Sequence, residues 1–108
     1  PKPTAMVGTY TGGRIPKESL LTQGGLRVSM EGFDFPVNYT VTSFTMSFNT
    51  GGDAQAPIQA TSSQFTADMK AKLGKRRRGT KVYIENIRAK GPDGEKAVSN
   101  PQMTFIIQ

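Results

Sequence analysis

The side chains best suited to chemistry in this sequence are a dense cluster of cations. Half of the 14 Lys and Arg residues lie between positions 70 and 81, a stretch without any acidic residue. Arginine and lysine at this density bind anions, and the planar guanidinium matches the oxygens of a carboxylate or a phosphate. We therefore predict an anionic partner and take the centre of the cluster as the candidate partner-binding site. Its residues are Lys75, Arg76, Arg77 and Arg78.

Two other interpretations of these cations remain open. A run of Lys and Arg after a helix is stabilised by the helix dipole, by about 0.3 to 1 kcal/mol for each cation, and then needs no partner. A net charge of +6 also suits a basic nucleic-acid-binding module, because clustered cations neutralise phosphates. Against that alternative, the sequence shows no helix-turn-helix, aromatic platform or RNA-binding signature beside the cluster.

Most other chemistry is excluded by residue types that the chain lacks. With no Cys and no His, it cannot build zinc, iron–sulfur or haem-histidine sites, a cysteine nucleophile or a Ser-His-Asp triad. Asp34 and Asp93 fit a loop and a turn better than a catalytic or metal site. We therefore predict no enzyme activity, no metal and no cofactor. A carbohydrate-binding β-module finds little support, since there are three Tyr and no Trp.

The chain that must position the cluster is short. Its 108 residues suffice for one domain, and they contain no long apolar run and no signal-peptide pattern. Residues 1–14, which include two Pro and three Gly, predict an extended lead-in or linker from an upstream domain, with a short edge strand at 5–7. Residues 15–108 then predict a single β-rich domain.

Alternating apolar and polar residues predict several short strands. Strands are expected at 26–30, 55–64 and 81–89, and a last one carries Met103, Phe105 and Ile107. The run 37–49 changes its apolar phase between Val41 and Phe44, which predicts a bulge or a bend at residues 42 and 43. Within 81–89 we expect Val82 and Ile84 on one face and Tyr83 and Ile87 on the other. Glycines predict turns at 51–53 and at 91–94.

Two short helices complete the expected elements. For the first, Pro16 is expected at the first helical position, where proline is tolerated. The helix is expected to continue over Lys17 to Gln23 and to end at Gly24. The second follows Thr66 as its N-cap and covers 67–73, directly before the cationic run. The predicted fold is an immunoglobulin-like β-sandwich of short antiparallel strands with one or two helices. Its expected core is Leu26, Val28, Phe44, Met46, Phe48, Val82, Ile84, Phe105 and Ile107.

An ordered set of short segments gives the chain a resemblance to a known family. It resembles the C-terminal domain of the GldM/PorM proteins of gliding motility and type IX secretion, over roughly residues 1–107. The segments occur here in the same order and without large gaps. They are Gln23-Gly24-Gly25-Leu26, Phe33-Asp34-Phe35, Val41-Thr42-Ser43-Phe44-Thr45, and Arg77-Arg78-Gly79-Thr80-Lys81-Val82-Tyr83 running on to Ile87-Arg88-Ala89-Lys90-Gly91-Pro92-Asp93-Gly94.

The resemblance implies a function that composition does not reveal. Members are anchored in the inner membrane by an N-terminal helix and cross the periplasm as dimers. They couple a proton-driven motor to a ring of outer-membrane-associated proteins. This chain is expected to be the membrane-distal domain, a periplasmic docking and mechanical module that contacts the ring.

Overall fold

The computed structural model describes residues 2–29, 39–49 and 56–108. The described part is mainly β, with two short helices, as predicted. Its elements in chain order are β1 (Thr4–Met6), β2 (Gly13–Ile15), α1 (Lys17–Gln23), β3 (Arg27–Ser29), β4 (Thr40–Asn49), β5 (Ile58–Ala60), α2 (Ala67–Gly74), β6 (Lys81–Gly91), β7 (Gly94–Lys96) and β8 (Met103–Ile107). The predicted turn at 51–53 and the segment around Asp34 lie outside the described residues.

The strands form one large sheet and one small sheet. The large sheet has the order β2-β8-β6-β4-β5, with β7 also paired to β6. Its pairs are antiparallel except β2 and β8, which run parallel from Gly13 beside Phe105 to Ile15 beside Ile107. The small sheet is the antiparallel pair of β1 and β3. The immunoglobulin-like connectivity stays a prediction. The strand expected over 55–64 does lie at the edge of the sheet, but among the described residues it covers only Ile58–Ala60, so its predicted length was wrong.

The two longest strands, β4 and β6, carry bulges that compensate one another. Between Val41 and Ser43 the pairing advances by two residues in β4 and one in β6, so β4 has one extra residue at Thr42. Between Ser43 and Thr45 the extra residue lies in β6, where Asn86 has a φ of 54°. The bulge in β4 is the one predicted from the apolar phase. Because of the second bulge, Ile87 joins the buried face with Ile84, so its predicted place on the opposite face was wrong.

One hydrophobic core lies on a single face of the large sheet. Directly paired residues of neighbouring strands point to the same face, as Phe48, Val82 and Phe105 do across three strands. Leu20 of α1 and Met69 and Leu73 of α2 are fully buried and belong to the same core as these sheet residues. All predicted core residues are buried except Val28, which is half-buried and packs against the core from β3.

The first residues described are packed firmly on the rest of the chain. Ala5 is fully buried, and both of its backbone groups bond the side-chain amide of Asn100: the Ala5 N–H donates to Oδ1 at 2.8 Å, and Nδ2 donates to the Ala5 carbonyl at 2.7 Å. The Ser99 amide donates to the Pro3 carbonyl at 2.8 Å. The role of residues 1–14 as a connection to an upstream domain stays a prediction.

Candidate functional site

The predicted partner-binding residues lie in the connection from α2 to β6. We call residues 75–80 the basic turn. The helix before it begins at Thr66, whose hydroxyl accepts a hydrogen bond from the Met69 amide at 3.1 Å, as predicted for its N-cap. The turn closes where the Thr80 amide donates to the Arg77 carbonyl at 3.1 Å. Gly79 has a φ of 88°, a conformation that favours glycine.

The basic turn is fastened to the last strand of the sheet. The Gly79 amide donates to the Ile107 carbonyl at 2.7 Å, and the Ile107 amide donates to the Thr80 carbonyl at 2.9 Å. Ile107 is itself paired with Ile15 of β2. The backbone that carries the cations is therefore hydrogen-bonded to the sheet at Gly79 and Thr80.

Two cations satisfy the C-terminal end of α2. The ammonium of Lys17 donates to the carbonyls of Gly74 at 3.0 Å and of Arg76 at 3.1 Å. The Nε of Arg76 donates to the Lys72 carbonyl at 3.0 Å, and its guanidinium carbon lies 5.1 Å from the centre of the Phe48 ring. Free carbonyls at a helix end attract cations, and Lys17 and Arg76 meet that need here.

The other three cations of the run have no such role in the described part of the chain. Lys75, Arg77 and Arg78 are exposed. The two ion pairs found among the described residues lie elsewhere, between Lys72 and Asp68 at 3.4 Å and between Arg88 and Glu95 at 4.0 Å. A surface hollow of about 200 Å³ opens at the turn, lined by Lys75, Arg76, Arg77 and Thr80.

Sequence reasoning missed the contribution of Lys17. Its contacts with the basic turn join residues 57 and 59 positions apart, and no local pattern reports such a pairing. The side chain of Thr80, buried beside the turn, was also missed because a lone Thr before a strand is unremarkable. Asp93 lies in the predicted hairpin turn, where Gly91 pairs with Gly94.

The basic turn and the first residues of the chain lie toward opposite ends of the molecule. The Cα extents are 43 × 22 × 19 Å, and the eleven residues of β6 span about 35 Å when extended, so β6 runs along the long axis. β6 leaves the basic turn at Lys81 and reaches the hairpin at Gly91. Lys2 lines a hollow with Arg88, Glu95 and Lys96, near that hairpin.

Within residues 2–29, 39–49 and 56–108, no group of three or more acidic side chains, His or Cys is placed to hold a metal ion. No helix among these residues is long and apolar enough to cross a membrane.

The chain was also compared with known proteins. A family model described as the GldM C-terminal domain matches residues 1–108. A comparison with individual curated proteins found no match. The family match confirms the resemblance carried by the sequence segments.

Proposed function

The chain belongs to the GldM C-terminal domain family, and on that premise we propose that it is the membrane-distal docking domain of its parent protein. The family is a component of the gliding motility and type IX secretion machinery. In our proposal the parent is a homodimer anchored in the inner membrane. Its domain here lies in the periplasm and transmits motor movement to an outer-membrane-associated ring. It acts by binding, without catalysis or a cofactor.

The observation that carries the proposal is the set of exposed cations at one end of an elongated domain. Lys75, Arg77 and Arg78 stand on a backbone that is hydrogen-bonded into the sheet, and the described residues place no acid on them. Such a group of cations on a held backbone can bind an acidic surface of a partner protein. Exposed pairs contribute only about 0.2 to 1 kcal/mol each, so the cations steer the encounter and set the register while neighbouring contacts add affinity.

Position supports the same conclusion. The residues nearest the start of the chain lie beside the hairpin, and the basic turn lies toward the other end of the 43 Å axis. In a stalk that approaches from the side of Lys2, the basic turn would be the far end. A docking surface there can reach the ring without the rest of the stalk intervening.

The proposal is tested by charge reversal with a matched control. The variant K75E/R77E/R78E reverses the three exposed cations and leaves Arg76 in its contacts with Phe48 and Lys72. The control K2E/K90E/K96E changes the net charge by the same amount through three exposed lysines near the hairpin. Binding to the isolated outer-membrane ring subcomplex is measured at 50 mM and 150 mM salt, after melting temperatures show that both variants are folded.

We expect the basic-turn variant to lose binding and the control to keep most of it. Equal loss in both variants would show that only net charge matters, and undiminished binding by the basic-turn variant would remove the basic turn from the interface. The alternative function, nucleic-acid binding, is tested in parallel by measuring binding to a 20-base-pair DNA duplex. Tight, salt-steep binding of any duplex would favour it over docking.

A further inference from the structure

We propose that the hollow at the basic turn binds one carboxylate side chain of the partner. The carboxylate lies between Lys75 and Arg77, accepts a hydrogen bond from the Thr80 hydroxyl, and faces the fixed guanidinium of Arg76. This inference rests on the proposed docking function and specifies which of the cations recognise the partner. Lys75 and Arg77 provide specificity, whereas Arg78 contributes only general attraction.

The first support is the division of labour among the four cations. Arg76 contacts the Lys72 carbonyl and the ring of Phe48, so its guanidinium is held in place. Lys75 and Arg77 line the hollow and remain exposed, while Arg78, also exposed, is not among its lining residues. Two exposed cations and one held cation therefore line the same hollow, and together they can contact a single anionic group.

The second support is the polar residue inside the hollow. Thr80 is 9% exposed and lines the same hollow as the cations. Its backbone is held by bonds to Arg77 and Ile107, which fixes the point from which the side chain extends. A hydroxyl in such a position donates to an oxygen of the ligand and orients it, which a purely electrostatic patch does not do.

The surrounding backbone favours a carboxylate over a phosphate. Phosphate sites commonly use free amides at a helix N-terminus or in a backbone nest. Here the amides of Lys75, Arg76, Gly79 and Thr80 already donate to carbonyls of the chain. The turn also follows the C-terminal end of α2, whose partial negative charge disfavours a doubly charged group. The amides of Arg77 and Arg78 and the side-chain donors remain for a ligand. Beside the negative helix end, a singly charged carboxylate suits these donors better than a doubly charged phosphate.

The test uses a fluorescently labelled peptide of six glutamates and measures its dissociation constant by polarisation at 50 mM salt. The decisive pair is R77M and R78M, which remove the same charge from adjacent exposed residues inside and outside the hollow. We expect R77M and K75M to weaken binding about three- to tenfold, and R78M by less than about twofold. T80V should weaken binding about threefold and T80S should restore it.

Equal effects of R77M and R78M would overturn the carboxylate site while leaving docking through general charge intact. Failure of the folded wild-type domain to bind the peptide would overturn it too, as would T80S behaving like T80V. Competition distinguishes the two anions: glutarate should displace the peptide more effectively than inorganic phosphate. The reverse order would assign the hollow to a phosphate-bearing partner. Ring binding by K75E/R77E/R78E tests the docking function separately.

Discussion

At the scale of single residues, Arg76 differs from its neighbours because its guanidinium has two partners within the chain. We expect R76A to lower the free energy of unfolding by about 1 to 2 kcal/mol, since it removes both the bond to the Lys72 carbonyl and the contact with Phe48. The exposed Arg78 provides the comparison, and R78A should stay within about 0.5 kcal/mol of wild type. Urea denaturation measures both, and equal effects would contradict this difference.

Phe44 carries a second prediction at this scale. It is 1% exposed, and its ring centre lies 6.0 Å from that of Phe65 in an edge-to-face arrangement. Replacing it by Ala leaves a cavity between β4 and the segment before α2, so F44A should cost about 3 to 5 kcal/mol. T104A, on an exposed position of β8, serves as the control. A near-neutral F44A in thermal denaturation would show that the aromatic pair does not anchor this side of the core.

At the scale of elements, the sequence predicted the features that depend on residues close together in the chain. The cap of α2 at Thr66, the end of α1 at Gly24 and the hairpin at residues 91–94 each depend on residues close in sequence. Pro16 proved to be the N-cap residue of α1 rather than its first helical position. The bulge in β4 was predicted because two apolar residues on opposite phases, Val41 and Phe44, both had to be buried.

The bulge in β6 was missed although Asn86 is its signal. Asn tolerates a positive φ better than most residues, and here its amide also donates to the Thr45 hydroxyl at 3.4 Å. We expect N86G to change the free energy of unfolding by less than about 0.5 kcal/mol and N86V to cost about 1 to 2 kcal/mol. Chemical denaturation compares the two, and a tolerated valine would mean that the bulge is not held at Asn86.

The hold of Asn100 on β1 gives another prediction at the scale of elements. Its side-chain amide acts as a short strand partner for Ala5, and N100A would leave both backbone groups of a buried residue without these bonds. The expected cost is about 1 to 3 kcal/mol, with faster hydrogen exchange at the amide of Ala5. The amide of Phe105, in the middle of β8, should keep its protection. Unchanged exchange at Ala5 would show that β3 alone holds β1 in place.

At the scale of the whole molecule, the pairings that build the ends of the domain could not be derived from the sequence. β2 offers Ile15 as its single apolar residue, yet it lies parallel to β8, about ninety residues further along the chain. Lys17 was missed for the same reason, because the residues that it contacts at the candidate site are far from it in sequence. The sequence revealed the cations of the candidate site, because a cluster of charges can be recognised without knowing the fold. It could not reveal which cations are held by contacts and which are exposed, because that depends on the fold.

Because β2 and β8 run parallel, we expect the domain to resist force more strongly in one pulling direction than in another. β8 is bonded at its end to the basic turn, and β2 lies beside it in the same direction. Pulling on Thr11 and Arg78 therefore loads the bonds between β2 and β8 together, in shear. Pulling on Lys81 and Gln108 peels β8 from β6, because Lys81 pairs with Ile106 and the bonds open one after another.

Cysteines introduced at each pair of positions would be unique attachment points, since the chain has no cysteine of its own. Single-molecule force spectroscopy should find a higher rupture force in the first geometry, as the proposed transmission of movement requires. An equal or lower force there would contradict a load path through β2 and β8.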